Sequence, residues 1–156
     1  MPVIVRQRHL GDEVDTIERL DAIEAIKQTK ARYFRFIDTK DRDGLASVFS
    51  RDAVLDHTDA EMDEPVRGRD AIADFITGVL VGVTTVHHGH MAEVEITSAT
   101  TARAIFAMED KLWWEPGGPI SFMHGYGHYH EEYVLEDGAW CISLNRLTRL
   151  RVDREL

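Results

Sequence analysis

Tyr33-Phe34-Arg35-Phe36-Ile37-Asp38 closes a stretch in which apolar side chains recur with the period of an α-helix. At about 100° per residue, Ala22, Ile23, Ile26, Tyr33, Phe34 and Ile37 share one broad face, and such a face is expected to be buried. Tyr33 falls near the middle of it and Asp38 at its edge. An acid at the C-terminal end of a helix gains nothing from the helix dipole, so Asp38 is there for another reason. A phenol on the buried face with a carboxylate close behind it is the first sign of a site.

Upstream, Asp15 or Thr16 can cap the start of this helix, with Glu18 and Glu24 near its positive end. Residues 1–15 mix charge with a few aliphatics and no sustained period, and are expected to form an arm. Downstream, Asp41-Arg42-Asp43-Gly44 breaks the helix, and Leu45, Val48 and Phe49 mark a short second helical piece. A strand is expected at 51–56, then a polar loop from His57 to Glu64 ending at Pro65. Gly68 and Asp70 introduce a third helix over 71–80, with Ile72, Phe75, Ile76 and Val79 on one side.

From there the pattern changes to long strands, expected at 84–97, 101–114, 121–135 and 139 to about 149. The turns between them, Ser98-Ala99-Thr100, Glu115-Pro116-Gly117-Gly118-Pro119 and Asp137-Gly138, are too short for anything but antiparallel neighbours. Helices first and a meander after them is the order of an α+β fold. One domain is expected over residues 16–150, with 151–156 as a C-terminal tail, because a chain of 156 residues closes a single core.

Composition removes several function classes. A net charge of -10, from 28 acidic and 18 basic residues, repels phosphate backbones and anionic membranes, so neither nucleic acid nor a membrane is an expected partner. No apolar run approaches the roughly 20 residues of a membrane span. Cys141 has no second cysteine to pair with and sits in an apolar strand pattern, as a small buried thiol would in a reducing cytoplasm. The sequence has no Gly-rich phosphate loop, no nucleophile elbow and no Cys-x-x-Cys pair.

What remains is Tyr, Asp and His. On the strand 101–114 the even positions read Ala102, Ala104, Phe106, Met108, Asp110, Leu112, so Asp110 interrupts an apolar face. Six of the eight histidines lie in two runs, His87-His88-Gly89-His90 and His124 to His130. Strand alternation puts His88 and His90 in phase with Val94 and Ile96, and does not select His87. The spacing of the glutamates after these histidines is not that of a double-stranded metal barrel, and no metal or other cofactor is expected.

Taken together, Ala31 to Asp38, Asp43 to Phe49 with Asp52-Ala53-Val54, Gly68 to Ile72, Thr85 to His90, Gly127 to Tyr133 and Asp137 to Trp140 resemble the SnoaL-like family. That family sits in the superfamily of ketosteroid isomerase, scytalone dehydratase and nuclear transport factor 2. The resemblance implies a cone-shaped α+β barrel with N-terminal helices packed on a curved, mostly antiparallel sheet. It is nearest to the branch of bile-acid 7α-dehydratase, scytalone dehydratase and hexachlorocyclohexane dehydrochlorinase. Enzymes of that branch hold a strand histidine with a helix aspartate, which by position implies Asp38 and His87 here. Tyr33 matches a tyrosine of the bile-acid enzyme and a lysine of the dehydrochlorinase, and Asp110 a further acidic position of the former. Relatives often carry an arginine a few residues after the strand tryptophan, and after Trp140 the chain offers Asn145, Arg146 and Arg149.

The resemblance therefore implies a lyase or isomerase acting on a small hydrophobic, polycyclic or aromatic molecule, with Asp38, His87 and Tyr33 as catalytic residues. Asp110, Asn145, Arg146, Phe106, Met108, His88 and Tyr129 are the expected substrate contacts, with Phe36, Phe75 and Trp114 as further pocket-lining candidates. A homo-oligomer, trimer or dimer, is expected. The same fold also serves as the non-catalytic small subunit of ring-hydroxylating dioxygenases, which is the competing expectation.

Overall fold

The buried stripe of the first helix is continuous, and it contains two polar residues. In the computed structural model, which describes residues 15–60, 62–117 and 120–156, α1 (Thr16–Thr39) buries Ala22, Ile26, Thr29, Lys30, Tyr33 and Ile37. These positions are spaced by three and four, as one face of a helix requires. Asp15 occupies the N-cap without a side-chain bond, and Lys40 ends the helix in the left-handed region, its N–H returning to Ile37. The expected arm falls almost wholly on residues 1–14, outside the described residues.

Asp41 then caps α2 (Arg42–Val48), accepting from the Gly44 N–H at 2.9 Å, so the second helix starts three residues earlier than expected. The chain continues through β1 (Phe49–Asp56), a 3-10 turn (Thr58–Ala60), β2 (Val66–Arg67) and α3 (Arg69–Val79). It ends in β3 (Val83–Ile96), β4 (Thr101–Trp114), β5 (Phe122–Glu136) and β6 (Ala139–Glu155). Residues 151–155, expected as a tail, continue β6, with Glu155 opposite Phe122.

The strands form one sheet in the order β2-β1-β6-β5-β4-β3. All neighbours are antiparallel except β1 and β6, which run parallel. Register shifts interrupt β3 between Gly89 and Ala92, and the β5–β6 pairing at Tyr126/Gly127 and Glu132/Tyr133. Such bulges bend and twist strands, and here they accompany a sheet that wraps the helices. Its inner face carries Ala102, Ala104, Phe106 and Met108 from β4, Tyr129 and Tyr133 from β5 and Ile142 and Leu147 from β6, packed on Ile26, Tyr33 and Ile37. Each fully buried large aliphatic such as Ile26 or Ile72 contributes about 1.5–3 kcal/mol, which is what holds α1 and α3 to the sheet. Among the described residues, no helix is long and apolar enough to cross a membrane.

Candidate active site

Asp38 lies in the last turn of α1, against β3. Because β3 is the edge strand, its outward backbone groups lack a strand partner on that side, and Asp38 supplies one. Its Oδ2 accepts the His87 backbone N–H at 3.0 Å, while Oδ1 accepts from His87 Nδ1 at 2.7 Å and from the Thr85 hydroxyl at 2.9 Å. Lys40 donates to the Thr85 oxygen at 2.8 Å, which directs the hydroxyl hydrogen onto the carboxylate. Burial alone would raise the Asp38 carboxyl, but bonds from the His87 ring and backbone and from Thr85 outweigh it and hold the group below its ordinary range.

With Nδ1 bonded to a carboxylate, the neutral His87 ring carries its proton there and keeps a lone pair on Nε2. The side chain is only 8 % exposed, and Phe34 stacks on it with ring centroids 6.3 Å apart and planes 18° from parallel. Phe34 fits because Gly89 has no side chain to meet its ring. Nε2 stands 4.0 Å from Asp110 Oδ2. Asp110 is itself clamped by Arg149 through two parallel bonds of 2.8 Å. That pair lies across β5 at Gly125, where any Cβ would overlap both the guanidinium and the carboxylate.

His87, Asp110 and Arg149 line a cavity of about 360 Å³. Its walls are largely apolar, with Ile37, Leu55, Phe75, Leu112, Trp114 and Met123 among them, and Tyr33, Tyr129 and His57 add polar edges. Burial, with the Glu131 charge adding to it, raises the Tyr33 phenol well above its ordinary value. Tyr129 is raised likewise, first by burial. Both phenols therefore remain protonated and can act as donors.

Behind the cavity is a second polar group of the core. Glu131 accepts from Lys30 at 2.6 Å, from the Asn145 amide at 2.6 Å and from the Tyr133 hydroxyl at 2.5 Å. Asn145 Oδ1 in turn meets His57 Nε2 at 2.7 Å. The Lys30 ammonium also sits 3.4 Å from the Tyr129 ring centroid and 4.1 Å from that of Tyr33.

The family model of the SnoaL-like domain matches residues 18–146. The chain belongs to the SnoaL-like family. Solved structures share its fold. A candidate scytalone dehydratase from Novosphingobium aromaticivorans DSM 12444 is 21% identical, covers 91% of this chain and 93% of its own, and superposes with a TM-score of 0.80. A type 2 hexachlorocyclohexane dehydrochlorinase, LinA, gives 21% identity, 91% and 94% coverage and a TM-score of 0.80. The Kfla4162 protein of Kribbella flavida gives 18%, 86% and 95%, and 0.80. At these identities the likeness speaks for the fold.

Of the residues singled out from the sequence, this SnoaL-like protein brings Tyr33, His87, Asp110 and Tyr129 to one cavity, with Asp38 directly behind His87. Asn145 is fully buried one layer back. Arg146 instead faces outward to Asp59, and Arg149, two positions further along the inward parity from Asn145 and Leu147, takes the place expected of it. His88 is half exposed near Glu109 on the outer face. Phe106 and Met108 are core residues that do not line the cavity, whereas Phe75 and Trp114 do and Phe36 does not. Cys141 is buried, as its strand position implies.

His57, Thr85 and the Lys30–Glu131 pair were not read from the sequence. Lys30 had a visible signal, lying on the buried stripe between Ile26 and Tyr33. His57 had none, since it opens a polar loop without periodicity. Among the described residues no group of three or more His, Cys, Asp or Glu is placed to hold a metal ion.

Proposed function

We propose that this SnoaL-like protein is a lyase or isomerase in which His87 removes a proton from carbon in a small hydrophobic substrate. The observation that carries the reading is one imidazole with its Nδ1 bonded to Asp38 at 2.7 Å while its Nε2 is left to an apolar cavity. A base held this way, oriented by a carboxylate and away from bulk water, is suited to an acidic C–H beside a carbonyl or a leaving group.

The proton passes from substrate carbon to Nε2, and the C–H electron pair forms a carbon–carbon double bond or an enolate. The imidazolium then stands between Asp38 and, 4.0 Å away, Asp110. Returning that proton to a departing hydroxyl completes a dehydration, and returning it to another carbon completes a double-bond shift. The guanidinium N–H groups of Arg149 not used by Asp110, and the Tyr33 hydroxyl, are the donors for the negative charge on oxygen. A positioned base contributes about 10²- to 10⁴-fold and each such donor about 10²- to 10³-fold. The names of two structural neighbours, a candidate scytalone dehydratase and a hexachlorocyclohexane dehydrochlorinase, describe eliminations and fit this chemistry. The open volume of about 360 Å³ also speaks against a scaffold with a filled cone.

The test is a panel of apolar β-hydroxy ketones and chlorinated cyclohexanes in deuterated water, followed by NMR for elimination and for deuterium uptake at carbon. Wild-type protein is expected to act on part of the panel, with Asp38→Asn and His87→Ala each slower by about 10³-fold at unchanged folding. Turnover surviving in the double variant overturns the assignment.

A further inference from the structure

We infer that His57 is a second polar contact for the substrate, a neutral imidazole whose Nδ1 accepts a hydrogen bond from a hydroxyl or N–H carried by the apolar molecule in the cavity. The inference rests on the cavity being the substrate site, as proposed above, and adds what the substrate must carry besides an acidic C–H.

The tautomer of His57 follows from the residues behind it. A carboxylate can only accept, and Glu131 is already held by Lys30 at 2.6 Å and the Tyr133 hydroxyl at 2.5 Å. The Asn145 side chain reaching it at 2.6 Å must therefore present its NH₂ to Glu131, which turns its oxygen toward His57. His57 Nε2, 2.7 Å from that oxygen, has to donate. A neutral ring with its hydrogen on Nε2 has a bare lone pair on Nδ1. The members that impose this, Lys30, Glu131, Tyr133 and Asn145, are all at most 2 % exposed, so they have little freedom to rearrange.

That lone pair is available. His57 lines the same cavity as His87. Among the described residues no fully buried side-chain nitrogen or oxygen is left without a partner, and the only side-chain hydrogen bond of His57 is the one from Nε2, with none at Nδ1. The atom is thus open to the space its ring lines. Protonation does not compete: burial first, then the Lys30 and Arg149 charges, hold the imidazole at about 4, with Asn145 and Asp56 opposing. The contact is also distinct from the catalytic histidine. His57 packs on Tyr129 with centroids 6.1 Å apart, Tyr129 on Phe34 at 5.9 Å, and Phe34 on His87 at 6.3 Å. The substrate class is accordingly an apolar ring compound with a donor group set apart from the carbon that loses its proton.

Two probes of nearly equal shape separate the donor from the apolar body: 2-naphthol, and 2-methoxynaphthalene, whose oxygen has no hydrogen. Fluorescence titration of the full chain is expected to show 2-naphthol bound about tenfold tighter. His57→Phe is expected to reduce that preference to within about twofold while the methyl ether binds as before, and His87→Ala to leave the preference intact. In parallel, ¹⁵N NMR of the unaltered protein reports the tautomer directly: an unprotonated Nδ1 whose resonance moves with 2-naphthol and not with the ether. An Nδ1–H signal overturns the inference whatever the variants do, as does a preference that survives His57→Phe and disappears in His87→Ala. A cavity that binds both probes equally defeats this inference alone. A cavity that takes neither defeats the reading of it as a substrate site and this inference with it. Full turnover in the Asp38→Asn/His87→Ala protein, with the naphthol preference kept, defeats only the catalytic reading.

Discussion

Helix α1 supplies one partner to each of two acid–base pairs, one fully and one partly buried, and they have opposite designs. Lys30 meets Glu131 at 2.6 Å, and Asp38 meets His87 at 2.7 Å, two helical turns further along. In the first pair the carboxylate also accepts from Tyr133 and Asn145, and the ammonium is surrounded by the rings of Tyr33, Phe34, Phe106 and Tyr129. Nothing is left over to meet a ligand. In the second pair the carboxylate is equally saturated, by His87 twice and Thr85 once, but the imidazole keeps a nitrogen on the cavity. On the proposed reading, chemistry falls to the pair in which one atom is left unsatisfied next to open space.

The contrast predicts mirror-image variants. Asp38→Asn should lower kcat/KM by about 10³- to 10⁴-fold, because an amide no longer fixes the tautomer or stabilises the imidazolium, while the urea midpoint shifts little. Lys30→Met should do the reverse. Removing one member of a buried pair leaves the Glu131 charge without its partner and costs about 3–5 kcal/mol, measurable in urea unfolding, with catalysis per folded molecule largely kept. Equal activity losses in both variants would mean that the Lys30 pair serves the reaction after all. A smaller effect is expected at Gly125, where Gly125→Ala forces a methyl into the Asp110–Arg149 clamp. Displacing the two side chains should cost about 1–3 kcal/mol of stability and lower kcat more than it raises KM.

The order of elements was legible because helical periodicity and turn residues mark local structure. β4 has the limits its pattern implies, and the even positions from Ala102 to Leu112, Asp110 included, do face inward. Long-range closure was not legible. No turn announces the parallel pairing of β1 with β6, which carries Asn145 and Arg149 to the cavity region. The bulges misled the reading of parity most. Alternation counted back from Val94 and Ile96 selects His88, but the shift between Gly89 and Ala92 reverses the faces and turns His87 inward. The shift near Ser143, where Tyr133 pairs with Ile142 and Glu132 with Leu144, likewise hid whether Arg146 or Arg149 would point in. The family resemblance implied His87, the histidine that stands against Asp38, where alternation did not, while Arg149 was one of three alternatives that only the pairing separates. Lys30 and Glu131 each lie on an otherwise apolar face, but nothing local links residues 101 apart, and the pair was not read from the sequence.

The smallest effect expected is a pH slope that separates the saturated network from the rest of the molecule. His57 is held at about 4 in the folded chain, against an ordinary value of 6.5. Between these values the unfolded chain binds a proton that the folded chain refuses, so stability rises with pH across the window. The contribution is fully present above 6.5 and is lost as the pH falls toward 4. Between pH 7.5 and 5.5 it amounts to about 1 kcal/mol. The sequence holds seven other histidines, so the measurement is the difference between wild type and His57→Phe in urea unfolding at several pH values. The difference should shrink by about 1 kcal/mol on acidification. A constant difference would mean that His57 is protonated as readily in the folded state as in water, and that the Asn145–Glu131–Lys30 network does not hold it neutral.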